Sequence, residues 1–203
     1  MRQFRKRLLT LAGVSVWVLA VAGALTALSQ YKNRPGPSAQ APARWPTDSI
    51  VRPQSGLPTL VLLAHPRCPC TRATLTELAR LTTRLGPRVS THVLFVRPEG
   101  TPEESWEHSD LWDQAKAIPG VEAIVDRGGI EARRFGSLTS GQALLYAADG
   151  TLQFAGGITV SRGHEGDSPG AERIFGLVTT GESELAAAPV FGCQLTDKKQ
   201  GER

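Results

Sequence analysis

The apolar residues of this chain are concentrated first in one long stretch near the N-terminus. Residues 8–28 contain no charged side chain, and a helix of about 20 such residues crosses the hydrocarbon core of a bilayer. Four basic residues precede the stretch: Arg2, Arg5, Lys6 and Arg7. Because basic flanks stay on the cytoplasmic side, the pattern predicts a membrane anchor at residues 1–29 that leaves the following chain outside the cytoplasm.

A cleaved signal peptide is the alternative interpretation of the same segment. The small side chains of Ala24, Ala27 and Ser29 suit a signal peptidase. The apolar stretch is longer than a typical signal core of about 7–15 residues, which favours a retained anchor. In a bacterial cell, the anchor predicts a single-pass inner-membrane protein whose C-terminal domain lies in the periplasm or another extracytoplasmic space.

Residues 30–57 have few apolar side chains and are rich in proline. The five prolines are Pro35, Pro37, Pro42, Pro46 and Pro53. Such a composition is typical of an extended segment that buries little surface. We therefore expect a poorly packed linker between the anchor and a domain at residues 58–203.

From residue 58 onward, the hydrophobic pattern alternates between strands and helices. The continuous apolar run Thr59–Ala64 is typical of a strand buried on both faces. A leucine stripe indicates a helix at 70–85, which Gly86 and Pro87 end. The remaining pattern predicts strands at 89–96, 121–125, 142–147 and 152–156, helices at 102–118, 129–135 and 171–187, and a polar loop at 157–170. This order predicts an α/β sandwich with a mixed sheet.

The charge distribution argues against a nucleic-acid partner. The chain of 203 residues has a net charge of +4. Eight of its 23 basic residues and one of its 19 acidic residues lie in residues 1–57, which leaves 15 basic and 18 acidic residues in the domain. No basic excess remains there to bind phosphates.

The strongest chemical signal is a pair of cysteines where the first predicted strand meets a helix, in His65-Pro66-Arg67-Cys68-Pro69-Cys70-Thr71-Arg72. Proline suits the first helical position, so Cys68 is expected at the N-cap and Cys70 in the first turn. The helix dipole, Arg67 and Arg72 are expected to lower the pKa of Cys68. We expect Cys68 to be the more exposed thiol and the nucleophile, and Cys70 to resolve its mixed disulfide. A static disulfide is the other interpretation, but so short a loop removes little chain entropy.

Cys193 is the third cysteine, and an odd cysteine in an exported domain needs an explanation. It follows Val190 and Phe191 after the last predicted helix. Three interpretations stay open: a resolving thiol that folds back onto Cys68 or Cys70, a bond between chains, or an inert buried thiol.

Three segments of this sequence, 65–73, 135–141 and 156–164, resemble the thioredoxin superfamily, and in particular its membrane-anchored RedB-like branch. The resemblance covers residues 58–193. It implies a thioredoxin-like three-layer sandwich with a central mixed sheet and a redox role, and it says little about the substrate. Our hypothesis is that protein thiols and disulfides are the partners. It implies no organic cofactor, and electrons would come from another thiol protein. The sequence departs from thioredoxins in its one-residue cysteine spacing and in Gly141, which stands where the family has a proline facing the thiols.

The resemblance leaves three functions to compare. The first is a thiol–disulfide oxidoreductase in which Cys68 attacks, Cys70 resolves and Cys193 assists. The alternative is a copper(I) chaperone, since two thiolates and the imidazole of His164 suit that soft ion and related copper-delivery proteins use a cysteine pair with a distant histidine. The third is a thiol peroxidase that uses Cys68 and Cys193. The sequence leaves the oligomeric state open.

Overall fold

The computed structural model describes residues 1–100, 109–182 and 187–195. The chain divides into two units, Met1–Arg34 and Pro35–Arg203. The first unit is a single helix, α1, at Arg2–Asn33. It is long and apolar enough to cross a membrane, with a mean hydropathy of 2.2 in its most apolar window. This helix fits the predicted single-pass anchor.

The second unit is built around a mixed five-stranded sheet of order β3-β2-β1-β4-β5. The strands are β1 (Thr59–Ala64), β2 (Ser90–Arg97), β3 (Val121–Arg127), β4 (Gln142–Tyr146) and β5 (Leu152–Gly157). The first three are parallel, and β4 is antiparallel to both β1 and β5. The helices are α2 (Pro69–Leu85), α3 (Asp110–Lys116), α4 (Ile130–Arg134) and α5 (Pro169–Thr179). The central strand β1 carries the cysteine motif at its carboxyl end.

Both faces of the sheet are covered, because β1 alternates apolar side chains to each side. Leu60 and Leu62 join one core with leucines of α2 and Ile174 of α5. Val61 and Leu63 join the other core with Phe135 and Tyr146. The result is the predicted thioredoxin-like three-layer sandwich.

Residues 35–57, called the strap below, differ from the predicted linker because they pack against the sheet. Trp45 contacts Phe135 and Tyr146 edge-on, with ring centroids 5.2 and 5.1 Å apart. The Leu152 amide donates to the Ala43 carbonyl at 2.9 Å, so the strap also covers part of the free edge of β5. A few apolar side chains suffice here, since an extended chain needs to bury only one side.

The last helix begins at Pro169 and ends at Thr179. It therefore stops before the end of the predicted 171–187, of which residues 183–186 lie outside the described residues. Gly181 follows with a φ of +76°, a left-handed conformation that commonly ends helices at glycine. At the other end, the Ser168 hydroxyl accepts a hydrogen bond from the Ala171 amide. Helix α3 is the described part of the predicted helix at 102–118, of which residues 102–108 lie outside the described residues.

Candidate functional site

The cysteine motif turns directly from β1 into α2. Cys68 is the N-cap residue and Pro69 is the first residue of the helix, as predicted. The Cys68 amide donates to the His65 carbonyl at 3.1 Å, and the Thr71 amide donates to the Cys68 carbonyl at 3.0 Å. The Cys70 amide, the first N–H of the helix, hydrogen-bonds the Cys68 thiol.

Ser140, in the loop before β4, holds the motif from the side. Its hydroxyl accepts from the His65 amide at 2.9 Å and lies 2.9 Å from the Thr71 hydroxyl. Thr71 also lies within hydrogen-bonding distance of the His65 carbonyl, at 3.2 Å. The motif is therefore fixed by polar contacts with a loop that is distant in sequence.

The C-terminal segment, residues 189–195, brings Cys193 to the motif. The Ser140 amide donates to the Cys193 carbonyl at 2.8 Å, and the Leu195 amide donates to the Leu138 carbonyl at 2.9 Å. At Gly192, a Cβ atom would lie 1.9 Å from the Ser140 carbonyl oxygen, so only glycine allows this approach. The Cys193 thiol and amide both hydrogen-bond Cys68.

Cys68 is the least exposed of the three thiols, which corrects the expectation that it is the more exposed member of the pair. Cys68 is 1% exposed, whereas Cys70 and Cys193 are partly exposed. The physical reason is the C-terminal segment, which covers Cys68 and which the pattern of the motif alone does not reveal. Cys193 therefore folds back onto Cys68 of the same chain, as the first of its three interpretations required.

The three thiols have pKa values shifted in opposite directions. Burial acts to raise the pKa of Cys68, but hydrogen bonds from Cys193, from the Cys70 amide and from Thr71 outweigh burial and lower it. Burial and the neighbouring Cys68 thiolate raise the pKa of Cys70. Burial and the hydrogen bond to Cys68 raise the pKa of Cys193 to about 12. Cys68 is thus the thiol most readily ionised, and its neighbours remain protonated donors.

The cation at the thiols is Arg162, which sequence reasoning missed. Its charge and a hydrogen bond act to lower the pKa of Cys70, and its charge acts in the same direction on Cys193. Arg72, expected to serve Cys68, instead pairs with the exposed Asp110 at 2.9 Å. The groups that lower the pKa of Cys68 most are Cys193, the Cys70 amide and Thr71. The only sequence signal for Arg162 was its place in the loop that follows β5.

Gly141 is the residue that the thioredoxin resemblance matches to a proline. Its φ is +92°, a conformation that proline cannot adopt because its ring holds φ near −65°. The Gly141 amide also donates to the Leu63 carbonyl at 2.7 Å, a bond that proline has no hydrogen to make. The backbone conformation and the hydrogen bond at residue 141 therefore both exclude proline.

Cys68 and Cys70 lie together, but they and His164 do not form the three-residue copper site that the sequence suggested. His164 is exposed on the loop after β5. Within residues 1–100, 109–182 and 187–195, no group of three or more His, Cys, Asp and Glu side chains is placed to hold a metal ion. The loop approaches the thiols through Arg162 rather than through His164.

Comparisons with known proteins agree with the fold. A conserved uncharacterised protein from Geobacillus kaustophilus matches with a TM-score of 0.59 and 18% identity, over 83% of this chain and 95% of that one. A hypothetical protein from Sinorhizobium meliloti 1021 matches with a TM-score of 0.59 and 16% identity, over 78% and 96% of the two chains. No protein-family model and no curated protein matches the sequence. At these identities the likeness shows the fold alone.

Proposed function

We propose that this protein is a membrane-tethered thiol–disulfide oxidoreductase of the extracytoplasmic space, related to the RedB-like branch of its superfamily. The observation that carries the proposal is the ionisable Cys68 at the start of α2, in contact with two protonated thiols. A thiolate is the attacking species in disulfide exchange, and a neighbouring thiol completes the reaction. No organic cofactor is required for this chemistry.

The reaction has two exchange steps. The Cys68 thiolate attacks a substrate disulfide, forms a mixed disulfide, and releases one substrate thiolate. Cys70 then loses its proton to water and attacks the Cys68 sulfur, which forms the Cys68–Cys70 disulfide and releases the second substrate thiolate. The substrate gains two electrons and the cysteine pair loses two, so a second thiol protein must restore the pair. Run in reverse, the same steps oxidise a substrate.

Access to Cys68 involves the C-terminal segment. Cys193 covers Cys68, and the segment is held by the Ser140 amide, at 2.8 Å from the Cys193 carbonyl oxygen, and by Arg162, at 2.5 Å from the Gly192 carbonyl oxygen. A protein substrate reaches the Cys68 sulfur only when this short segment shifts. We expect Cys193 to assist by protecting the thiolate until a substrate displaces it.

Trapping of the mixed disulfide tests the assignment of roles. Full-length protein in detergent is exposed to oxidised glutathione, and the modified cysteine is identified by mass spectrometry. In a Cys193→Ser background, which removes the other thiol in contact with Cys68, Cys70→Ser should accumulate glutathione on Cys68, because the resolving thiol is missing. The wild-type chain should expel it, and a Cys68→Ser variant should form little adduct. Glutathione attached to Cys70 or Cys193 while Cys68 is intact would contradict the proposal.

The contact between Cys193 and Cys68 favours one second candidate, a thiol peroxidase. In that reaction the Cys68 thiolate attacks a peroxide O–O bond, becomes a sulfenic acid and releases an alcohol or water. The Cys193 thiol then attacks the Cys68 sulfur, and a disulfide and water result. Peroxide consumption that survives Cys70→Ser and is lost in Cys193→Ser would establish this function in place of disulfide exchange.

A further inference from the structure

The loop at residues 158–168 holds one cation in a fixed place beside the thiols. Its two ends are joined by a hydrogen bond from the Ser168 hydroxyl to the Ile158 carbonyl at 2.8 Å. The Gly166 amide donates to the carboxylate of Glu77 on α2 at 2.7 Å, and Glu77 itself is buried. Arg162 is therefore presented by an anchored loop.

Arg162 contacts both of the chain segments that carry thiols next to Cys68. Its Nη1 donates to the carbonyl oxygen of Gly192 at 2.5 Å, and its guanidinium hydrogen-bonds the sulfur of Cys70. The planar guanidinium has several donors in a fixed arrangement, so it serves both partners at once. The charge of Arg162 also reaches Cys193.

We propose that Arg162 is a catalytic residue of the second exchange step, in which it holds Cys70 as the thiolate that attacks Cys68 and releases the substrate. The assignment rests on the proposed function and adds to it the group that activates the resolving thiol. It also explains why Cys70, which Arg162 hydrogen-bonds, resolves in preference to Cys193.

The change of charge at Cys68 during the reaction sets the order of the steps. In the free protein, the Cys68 thiolate and its hydrogen bond oppose ionisation of Cys70. Once the Cys68 sulfur is bound to a substrate sulfur, it carries no charge, and both effects vanish. Burial then remains the main cause that opposes Arg162. We therefore expect the pKa of Cys70 to fall at the stage when its thiolate is needed.

The chromogenic disulfide dithiobis(nitrobenzoate) allows the two exchange steps to be measured separately. Attack by Cys68 releases the first thionitrobenzoate, and attack by Cys70 on the mixed disulfide releases the second. Both releases are followed in single turnovers of full-length protein in detergent over a range of pH, in a Cys193→Ser background that leaves Cys70 as the resolving thiol.

The expected effect of Arg162→Gln falls on the second release. Loss of the charge should slow it about tenfold near neutral pH, the factor that corresponds to one pKa unit, and should move its pH midpoint upward. The first release should change far less. Arg162→Lys, which keeps the charge without the planar donors, should recover most of the rate and also controls for damage to the loop. Arg72→Gln removes an arginine that pairs with Asp110, and neither release should change.

Several outcomes would overturn the assignment. These are an unchanged second release in Arg162→Gln, equal slowing of both releases, no recovery in Arg162→Lys, or the same shift in Arg72→Gln. The failure of the proposed function itself has a different signature. If the parent protein shows no second release at any pH, no resolving step exists and both proposals are wrong.

Discussion

Two clusters of buried ionisable groups lie in different parts of the thioredoxin-like unit, and they differ in how hydrogen-bond donors are distributed among their members. In the carboxylate cluster, Asp126 and Glu131 are each 1% exposed. The Asp126 carboxylate accepts from the amides of Glu131 and Ala132 at 2.8 and 2.9 Å. Glu131 accepts from the Ser49 hydroxyl at 2.5 Å and pairs with Arg134. Each carboxylate therefore has its own donors, and the cluster ties the strap and α4 to the sheet.

The thiol cluster shares its donors unequally. Cys68 receives hydrogen bonds from the Cys193 thiol and from two backbone amides, whereas the pKa values of Cys70 and Cys193 are raised. Neighbouring groups thus prefer different protonation states, as expected where protons and electrons are exchanged. Burial also raises the pKa of Asp126, so neither burial nor a raised pKa marks a site. The thiol cluster differs because Cys68 is held towards its ionised form beside thiols that are held protonated.

The largest expected effect separates the two clusters by activity. Cys68→Ser should reduce the rate of disulfide exchange by about 1,000-fold or more, as expected when the attacking group of a coupled set is removed. Its free energy of unfolding should change by only about 1 kcal/mol. Rates with a model disulfide measure the first quantity and urea unfolding the second.

Glu131→Gln is the matched change in the carboxylate cluster, and it should leave the exchange rate unaltered. A Glu131→Gln variant as inactive as Cys68→Ser would remove the distinction between the two clusters.

The next effect separates the clusters by stability. Asp126→Ala leaves two buried amides without their acceptor, and we expect a loss of about 2–3 kcal/mol in the free energy of unfolding. Urea unfolding measures the loss, and the exchange rate at low urea should remain close to that of the parent. Asp126→Asn keeps one carbonyl acceptor and should cost less. Equal stability of Asp126→Ala and the parent would contradict the structural role of this carboxylate.

Much of this fold can be predicted from the sequence, because short continuous segments indicate the individual strands and helices. The apolar run Thr59–Ala64, the leucine stripe of α2 and the position of Pro69 predict the central strand, the first core helix and the place of each motif cysteine. The packing of the strap could not be predicted in this way. Its proline-rich sequence has no periodic apolar pattern, and the few side chains that pack against the sheet, such as Trp45, do not stand out.

The site was only half predictable, because its second half depends on contacts between distant segments. Gly192 permits the approach to Ser140 that places Cys193 on Cys68, and no periodicity marks such a contact. Arg162 and His164 lie in the same polar loop, and only the course of the backbone decides which of them reaches the thiols.

A smaller effect, on the pKa of Cys68, tests the hydrogen bond that the Cys193 thiol donates to Cys68. Cys193→Ala removes the side-chain hydrogen bond that lowers the pKa of Cys68, so the pH midpoint for alkylation of Cys68 should move upward. Cys193→Ser retains a donor and should show a smaller shift. Iodoacetamide labelling over a pH series, read by mass spectrometry, measures both. A midpoint that stays the same or falls in Cys193→Ala would argue against this hydrogen bond.

The smallest expected effect is the alkaline pH dependence of stability. The pKa of Cys193 is raised from 9.0 to about 12 in the folded protein, so within this window the unfolded chain loses a proton that the folded chain keeps. Stability should therefore fall as pH rises through the window. Cys68 has the opposite sign, since its lowered pKa makes stability rise with pH up to 9.0.

Urea unfolding below and above pH 9 measures this dependence, and Cys193→Ala should weaken the alkaline decline. Cys68→Ala removes the group of opposite sign and one cause of the raised Cys193 pKa, so burial alone of the two named causes remains and the decline should weaken less than in Cys193→Ala. A decline that is equally steep without Cys193 would assign it to other groups.

The most direct measurement of the central claim is a redox titration of the full-length protein in detergent against glutathione buffers. After acid quenching and alkylation, mass spectrometry reports which cysteines are joined at each potential. Our account predicts a reversible Cys68–Cys70 disulfide within the glutathione range, with Cys193 remaining a thiol. A Cys68–Cys70 pair that forms no disulfide anywhere in that range would contradict it.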